Sequence, residues 1–478
     1  MLGVAVCALA AVAGASGLTQ NALFTASSNL KYAVTVLVPI VGAILLASAR
    51  PLRSAVVITI VCIPFADAAA HFAGTHVTLL TAALALATAV SILTGPRPQP
   101  LSGFAAACLA AIALLVGPLL IGHDSGGAVV LSAMVLVGWL TARVAREGED
   151  GVTAIYWSVV VAALIQAVIA IYEFKTNHHI NLYGSAGSGG LESHYFGTAA
   201  GHAGELHSTE RPSGTLYDPI SLGNILALSC PMIIVLAART RDVLLLLALV
   251  AAAVVIALAL ALTFSRFSWI GGAAGTVIAA LLLPTAGMRS RALSVGVAAI
   301  VLAVVLALAT AGPRLTSRFE SIANPTHAAN HVSAKGDRER VEAWNVDLKT
   351  FLEHPLAGVG LGRIRFSLAR YLPSVREGSN GQNTYLQIAA EAGLLGVAAL
   401  ALLIGALATS LSRGLRTSRS LAAAALGANV SIALVWLTDV TIRYSPVAAF
   451  FAIVFGVTSA LPHIQARRPV GDPRLDIR

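Results

Sequence analysis

Two arginines lie at the ends of long apolar segments, where a charged side chain is costly unless it has a partner. Arg211 precedes one segment in Arg211-Pro-Ser-Gly-Thr-Leu-Tyr217-Asp218-Pro219, and Arg266 ends the short turn Thr263-Phe264-Ser265-Arg266 between two others. A guanidinium held at this depth can bind the diphosphate of a lipid through paired hydrogen bonds. It can also extend to the membrane interface and contact lipid phosphates. Arg211 and Arg266 are therefore candidate anion-binding residues, and Tyr217 lies beside them.

A second pair of arginines, Arg338 and Arg340, begins an amphipathic segment. From Asp337 to His354 the apolar residues recur at helical spacing, and Pro355 ends the pattern; they are Val341, Trp344, Leu348, Phe351 and Leu352. Cations at a helix start oppose the macrodipole, so a bound anion could use both arginines and the free amides. An ordinary solvated charged face is the alternative. We expect this helix to cover the outer mouth of a bundle, followed by a flexible turn at 358–362.

The remaining titratable side chains give weaker signals. Five histidines in one polar loop match no metal-ligand spacing, so we expect neither a metal nor another cofactor; they are His178, His179, His194, His202 and His207. Asp67, Glu391 and Asp439 lie near the predicted outer ends of spans, and Asp439 could pair with Arg443. Structural pairing or hydration is the expected role of these carboxylates.

The composition requires a membrane environment. The 478 residues are 57% hydrophobic and only 11% charged, whereas soluble domains carry about 25% charged residues. Apolar runs of about 17–25 residues recur along the chain, which predicts spanning helices and not the short alternating strands of a barrel. The net charge of +9 lies in loops between these runs and does not indicate nucleic-acid binding. All four cysteines lie inside apolar runs and suggest no disulfide.

The fold class is therefore all-α, a polytopic transmembrane bundle of about 12–14 spans. The predicted spans are 2–16, 32–49, 54–71, 77–94, 102–121, 127–142, 152–172, 218–237, 243–264, 267–284, 292–311, 384–410, 420–438 and 445–462. They divide the chain into N-terminal helices (1–172), a first outer loop (173–217), central helices (218–311), a large outer loop (312–383), C-terminal helices (384–462) and a tail (463–478).

The orientation follows from the short basic loops, because Lys and Arg favour the cytoplasmic side. The basic short loops and the basic tail, near residues 50, 97, 145, 240, 290, 416 and 470, all fall on one side of this span order. Both termini join that side, and the first run lacks the basic flank of a cleavable signal peptide. We expect a multi-pass protein of the bacterial cytoplasmic membrane with both termini in the cytoplasm.

Two stretches resemble the superfamily of O-antigen ligases and polymerases. One is Leu262-Thr-Phe-Ser-Arg266-Phe-Ser-Trp269; the other runs from Arg340-Val-Glu-Ala-Trp344 through His354-Pro-Leu-Ala-Gly-Val-Gly-Leu-Gly362 to Gln382-Asn383-Thr-Tyr385-Leu-Gln and Glu391-Ala-Gly393-Leu-Leu-Gly396. The family pattern has a His, a polar residue, nine residues and Gly-x-x-Gly. Asn383, Gly393 and Gly396 fit it, and Gln382 replaces the histidine. The resemblance covers roughly 205–445.

The resemblance implies a metal-independent glycosyltransferase of the cell envelope. It implies transfer or polymerisation of an oligosaccharide from a polyprenyl diphosphate, such as undecaprenyl diphosphate, to a hydroxyl of a glycan, lipid or protein acceptor, with membrane lipids as further partners. Arg211, Arg266 and Gln382 take the catalytic positions, with Arg338, Arg340, Tyr217, Asn383 and Tyr385 as substrate-binding residues.

Gln382 leaves the mechanism open, because an amide can orient an acceptor but cannot take its proton. Positioning and diphosphate stabilisation could suffice, or His354, a loop histidine or Glu391 could act as the base. A lipid or glycan flippase or transporter, and a glycolipid-binding assembly subunit without catalysis, are the alternatives from other classes.

Overall fold

The computed structural model describes residues 48–65, 69–72, 75–94, 103–122, 125–176, 211–216, 218–323, 331–371, 382–440 and 445–464. The predicted span 2–16, all but the last two residues of the predicted span 32–49, and the side chain of Arg338 lie outside these residues. So do the outer-loop histidines, Asp67, Tyr217 and Arg443. Within the described residues the all-α bundle is confirmed.

Fourteen α-helices and one short hairpin form the described part of the chain. They are α1 (Pro51–Cys62), β1 (Ala69–Phe72), β2 (Thr75–Thr78), α2 (Leu79–Thr94), α3 (Gly103–Gly122), α4 (Ser125–Ala145), α5 (Glu149–Thr176), α6 (Pro219–Arg239), α7 (Val243–Leu262), α8 (Arg266–Leu281), α9 (Ala286–Ala323), α10 (His331–Glu353), α11 (Ile364–Tyr371), α12 (Thr384–Thr417), α13 (Arg419–Val435) and α14 (Ser445–Ala460). The predicted span 54–71 is too long, because the helix ends near Pro64 and residues 69–72 pair with 75–78 as antiparallel strands.

Seven of the described helices are long and apolar enough to cross a membrane, and shorter apolar helices accompany them. The chain is therefore a multi-pass membrane protein. The spans differ in position. In α6, 89% of the most apolar 18-residue stretch is buried inside the bundle, whereas in α3 only 11% is. Because lipid covers exposed apolar side chains as well as protein does, α6 is central and α3 is peripheral.

Helix α6 packs against α8 and α13 in the centre of the bundle, and small residues allow the close approach. A Cβ added to Gly275 of α8 would collide with the carbonyl oxygen of Gly427 in α13. Ser431 donates a hydrogen bond to the carbonyl oxygen of Gly271 at 2.8 Å. Close backbone contact and interhelical hydrogen bonds stabilise helix pairs in lipid, where the hydrophobic effect is absent. This packing fixes α6, α8 and α13 relative to one another.

Several of the predicted cytoplasmic loops meet at the opposite end of the bundle, where ion pairs join them. Arg53 pairs with Glu147 at 2.7 Å and Arg239 with Glu149 at 2.9 Å. Glu149 also accepts a hydrogen bond from Ser418 at 2.8 Å. One carboxylate therefore ties the start of α5 to the ends of α6 and α12.

Replacing Glu149 by alanine is expected to lower the free energy of unfolding by about 1–2 kcal/mol, because Arg239 and Ser418 lose a charged acceptor. Asp150→Ala is the matched control. Both carboxylates lie in the first turn of α5, but Asp150 meets the exposed Arg50 only at 3.9 Å. Thermal unfolding in detergent should show a lower midpoint for the Glu149 variant alone. Equal shifts would assign the effect to the helix dipole instead of the ion pair.

Helix α10 confirms the predicted amphipathic helix but corrects two details. It begins at His331, so Arg338 and Arg340 lie in its interior and the prediction that they open a helix is wrong. The residues packed against α11 and α12 are Ala343 and Val346. Val341, Leu348 and Leu352 of the predicted apolar stripe are exposed instead. Ala343 is small enough for close packing, and larger apolar side chains at the membrane surface need no protein partner.

Candidate functional site

Three arginines from separate parts of the chain line one cleft at the predicted outer end of the bundle. The cleft encloses about 340 Å³, part of it open to solvent. Its lining residues are Arg211, Ile220, Phe264, Ser265, Arg266, Phe267, Arg340 and Thr438. We call this space the arginine cleft. None of these described lining residues is acidic, so the cleft presents positive charge to a ligand.

A strained turn places Arg266. The backbone of Phe264 adopts a φ of 52°, an uncommon conformation for a side chain of that size. The buried phenyl ring packs in a cluster with Leu258 and Leu262, and the indole of Trp269 donates to the carbonyl oxygen of Leu260 at 2.7 Å. The packing of Phe264 and the hydrogen bond of Trp269 together hold the turn in this conformation. Arg266 becomes the first residue of α8 and faces the cleft from a helix N-terminus.

The start of α8 lacks an internal cap. Ser265 occupies the N-cap position, but its side chain makes no capping hydrogen bond. The first amides of a helix carry partial positive charge and bind anions readily. Helix dipole and guanidinium therefore act in the same direction at Arg266. The macrodipole argument made for Arg338 and Arg340 applies to Arg266 instead.

Arg211 is held by the same turn. Its Nε donates to the carbonyl oxygen of Thr263 at 2.8 Å. Asp218 caps α6 by accepting from the amides of Ile220 and Ser221, each at 2.7 Å. Burial raises the pKa of Asp218, whereas the capping bonds and the Arg211 guanidinium lower it. Arg211 is thus positioned by the carbonyl group of Thr263, and its charge acts on the carboxyl group at the start of α6.

Behind Arg211, the segment 213–215 is anchored to two polar residues buried in α5. Glu173 accepts from the amides of Ser213 and Gly214 at 3.0 and 2.8 Å. The Gln166 side-chain oxygen accepts from the amide of Thr215 at 3.0 Å. Both side chains are fully buried. They hold the chain entering α6 so that Arg211 faces the cleft.

Arg340 enters the cleft from α10. The buried face of α10 packs on α11 and α12 through Ala343, Val346 and Ala390. At the far end of α10, Tyr371 donates to Glu353 at 3.0 Å, which raises the pKa of Tyr371. The ammonium of Lys349 lies 4.0 Å from the Tyr371 ring centroid. These contacts attach α10 to the bundle. Arg340 thereby lies in the same cleft as Arg211 and Arg266.

Gln382, Asn383 and Tyr385 start α12 beside the loop that follows α13. Asn383 is the N-cap: its oxygen accepts from the amides of Tyr385 and Leu386, and its Nδ2 donates to the carbonyl oxygen of Leu437 at 2.9 Å. Tyr385 donates to the carbonyl oxygen of Ala433 at 2.9 Å. Gln382 is half-buried and forms no hydrogen bond with another described residue. The structure thus gives Asn383 and Tyr385 anchoring contacts and leaves the amide of Gln382 available.

A glycine-rich loop holds α12 in place. Helix α12 is interrupted at Gly393, where φ is 60° and ψ is −151°. The exposed backbone groups are satisfied by the loop after α10: Gly360 donates to the carbonyl oxygen of Glu391 at 2.9 Å, and Leu394 donates to that of Pro355 at 2.7 Å. The expected flexible turn at 358–362 is therefore a packed element. Backbone pairing of this kind is required wherever a helix is broken near lipid.

The segment that carries most of these residues matches a known family. Residues 251–401 match the family model described as O-antigen ligase. This segment is similar to the O-antigen ligase family, and the match supports membership of that superfamily. The matched segment includes Arg266, Arg340, Gln382 and the glycine loop, whereas Arg211 precedes it. No curated protein matches the sequence. The ligase domain confirms the resemblance and supports a glycan-transfer function in general.

Sequence reasoning missed a group of polar residues under the arginine cleft: Asn224, Ser265, Ser268 and Thr438. Asn224 and Ser268 lie inside or beside apolar helices and are buried. A buried amide within a spanning helix is itself a functional signal, so Asn224 could have been found from the sequence. Its partners could not, because they come from distant segments. The described residues hold no group of three or more metal-ligating side chains.

Proposed function

We propose that the chain transfers an oligosaccharide from a polyprenyl diphosphate to an acceptor hydroxyl at the extracytoplasmic face of a bacterial membrane. The observation that carries this proposal is the meeting of Arg211, Arg266 and Arg340 in one cleft. Guanidinium groups match phosphate oxygens in geometry and remain charged at any working pH. The ligase domain over residues 251–401 supports the reaction class.

The cleft would act mainly on the leaving group. As the bond between the sugar and the diphosphate breaks, negative charge grows on the diphosphate oxygens, and fixed cations stabilise that charge most strongly in a site poor in water. Three arginines and the start of α8 supply positive charge that a divalent metal would otherwise provide. We propose a metal-independent reaction on this basis, so transfer should persist in excess EDTA.

Gln382, Asn383 and Tyr385 would form the acceptor side. They begin α12, whose first residues are tied to the loop 436–439, and Thr438 of that loop lines the cleft. The Gln382 amide could orient an acceptor hydroxyl by hydrogen bonding. Arg338 and Tyr217 remain proposed substrate-binding residues.

The decisive experiment is transfer by the purified protein in nanodiscs. The donor is lipid-diphosphate oligosaccharide extracted from the bacterium's own membranes, with its lipid-linked or glycan acceptors added back. We expect glycan product from the wild type and none from Arg211→Ala. Movement of labelled donor between leaflets without product would support a flippase. Binding of donor without product or movement would support an assembly subunit, and either result would overturn the transferase.

A further inference from the structure

A chain of hydrogen bonds runs beneath the arginine cleft from its lining to a carboxylate. Ser265, in the lining, bonds Ser268 at 2.8 Å, and Ser268 donates to the side-chain oxygen of Asn224 at 2.9 Å. The Asn224 amide nitrogen donates to Oδ2 of Asp439 at 2.8 Å. Because the Ser268 proton is used on Asn224, Ser265 must donate to Ser268. The Asn224 amide group, the last donor in this series of hydrogen bonds, therefore donates to Asp439 and favours the ionised carboxylate.

Asp439 lies between the cleft and the start of α12. Its neighbour Thr438 lines the cleft, and its backbone oxygen accepts the hydroxyl proton of Thr384, two residues after Gln382. The backbone amide of the next residue, Val440, donates to Oδ1 of Asp439 at 2.8 Å. The carboxylate is half-buried. It is thus oriented by two donors and lies next to the segment that carries the substituted histidine position.

Other described candidates for a base suit the role less well. His354 directly follows the end of α10, about 21 Å from Arg340 along the helix axis at 1.5 Å per residue. Glu391 is buried and accepts from the Ile364 amide and the Gln387 side chain. Asp218 is engaged in capping α6.

We propose that Asp439 is the general base of the transfer reaction, in the role that Gln382 cannot perform. The acceptor oxygen forms a bond to the anomeric carbon as the bond from that carbon to the diphosphate oxygen breaks. The hydroxyl proton passes to Asp439, and the diphosphate leaves with the bonding electron pair, held by the arginines. This inference rests on the proposed transferase function.

The test separates turnover from donor binding. Asp439→Asn preserves the shape and one acceptor oxygen but removes the base, so kcat should fall about 10²–10⁴-fold. The amide group keeps one of the two hydrogen bonds from Asn224 and Val440 and loses the other. The Kd for undecaprenyl diphosphate in nanodiscs should change less than about threefold, because a base contributes little to ground-state binding. Equal loss of binding and kcat, or unchanged kcat, would overturn the proposal.

The pH profile gives a second readout. A base acts when deprotonated, so the wild-type kcat should fall on acidification, and this acidic limb should vanish in Asp439→Asn. The charged residues described around the arginine cleft are Arg211, Arg266, Arg340 and Asp218; Arg443 lies outside the described residues. Asp218→Asn is the control, because asparagine also caps helices and the limb should remain. A wild-type profile without the limb overturns the proposal even if the variants misfold.

Gln382→His provides a rescue. The double variant Asp439→Asn/Gln382→His should have a kcat at least about tenfold higher than Asp439→Asn alone. Its acidic fall in kcat should lie closer to neutral pH, where histidine titrates. Absence of any rescue, with both proteins monodisperse, would count against Asp439 as the missing base. Failure of the transferase itself is distinguishable, because the wild type would then yield no product at all.

Discussion

Replacing Arg266 by lysine is expected to lower kcat/KM for glycan transfer about 10²-fold or more, although the charge is kept. Lysine presents one compact ammonium and cannot form the paired hydrogen bonds of a guanidinium. Arg266 is also the first residue of α8, so its shorter replacement would leave the cleft lining. Arg266→Ala should reduce transfer at least as far. The measurement is the initial rate with varied donor in nanodiscs.

The control for Arg266 is Arg416, an exposed arginine near the opposite end of α12. Arg416→Lys and Arg416→Ala should leave transfer unchanged, which excludes a general effect of surface charge on donor recruitment. Full activity of Arg266→Lys with loss in Arg266→Ala would mean that the residue acts as a point charge. Full activity of both would remove Arg266 from the site and weaken the diphosphate proposal.

Much of the architecture follows from the order of apolar segments. The predicted span 243–264 is observed as Val243–Leu262, and 152–172 as Glu149–Thr176. Such boundaries are predictable because an apolar run of fixed length has few alternatives in a membrane. Arg211, Arg266 and Arg340, which the sequence predicts as anion binders, line one cleft; anion binding itself stays a prediction. Their roles in catalysis remain proposals.

Contacts between distant segments could not be predicted. The hydrogen bonds from Ser265 to Asp439 join α8, α6 and the loop after α13, and no spacing in the sequence indicates them. The orientation of α10 could not be predicted either. Its apolar periodicity predicts a helix, but not which face packs on the bundle, because lipid covers apolar side chains as well as protein does. The N-cap role of Asn383 had a signal, since asparagine before an apolar run favours a helix start.

The second large effect concerns Gly393, the glycine at which α12 is interrupted. Gly393→Ala is expected to destabilise the protein severely, by more than about 3 kcal/mol, because both strain and collision oppose it. The backbone at Gly393 lies in a region that is almost restricted to glycine. An added Cβ would lie 2.5 Å from the backbone carbon and oxygen of Leu356. Neither atom belongs to a side chain that could rotate away.

Gly405→Ala is the matched control for Gly393. Gly405 lies on the same helix, α12, and an added Cβ there would meet nothing within 4 Å. Alanine favours a helix over glycine by about 1 kcal/mol, so this variant should unfold at the same or a higher temperature. The measurement is the thermal midpoint and the monodisperse yield in detergent. A Gly393→Ala protein as stable as Gly405→Ala would show that the break in α12 is not required.

The structure also predicts how a surviving fraction of Gly393→Ala would fail. The loop 355–362 pairs with the broken part of α12 and follows directly from α10, which carries Arg340 to the cleft. Displacing Leu356 should therefore move Arg340 while leaving Arg211 and Arg266, which are anchored to α5, α6 and α8, in place. Donor binding should weaken to the level of Arg340→Ala, and combining the two substitutions should add little further loss. Additive losses would mean that the loop acts on the site by a route other than Arg340.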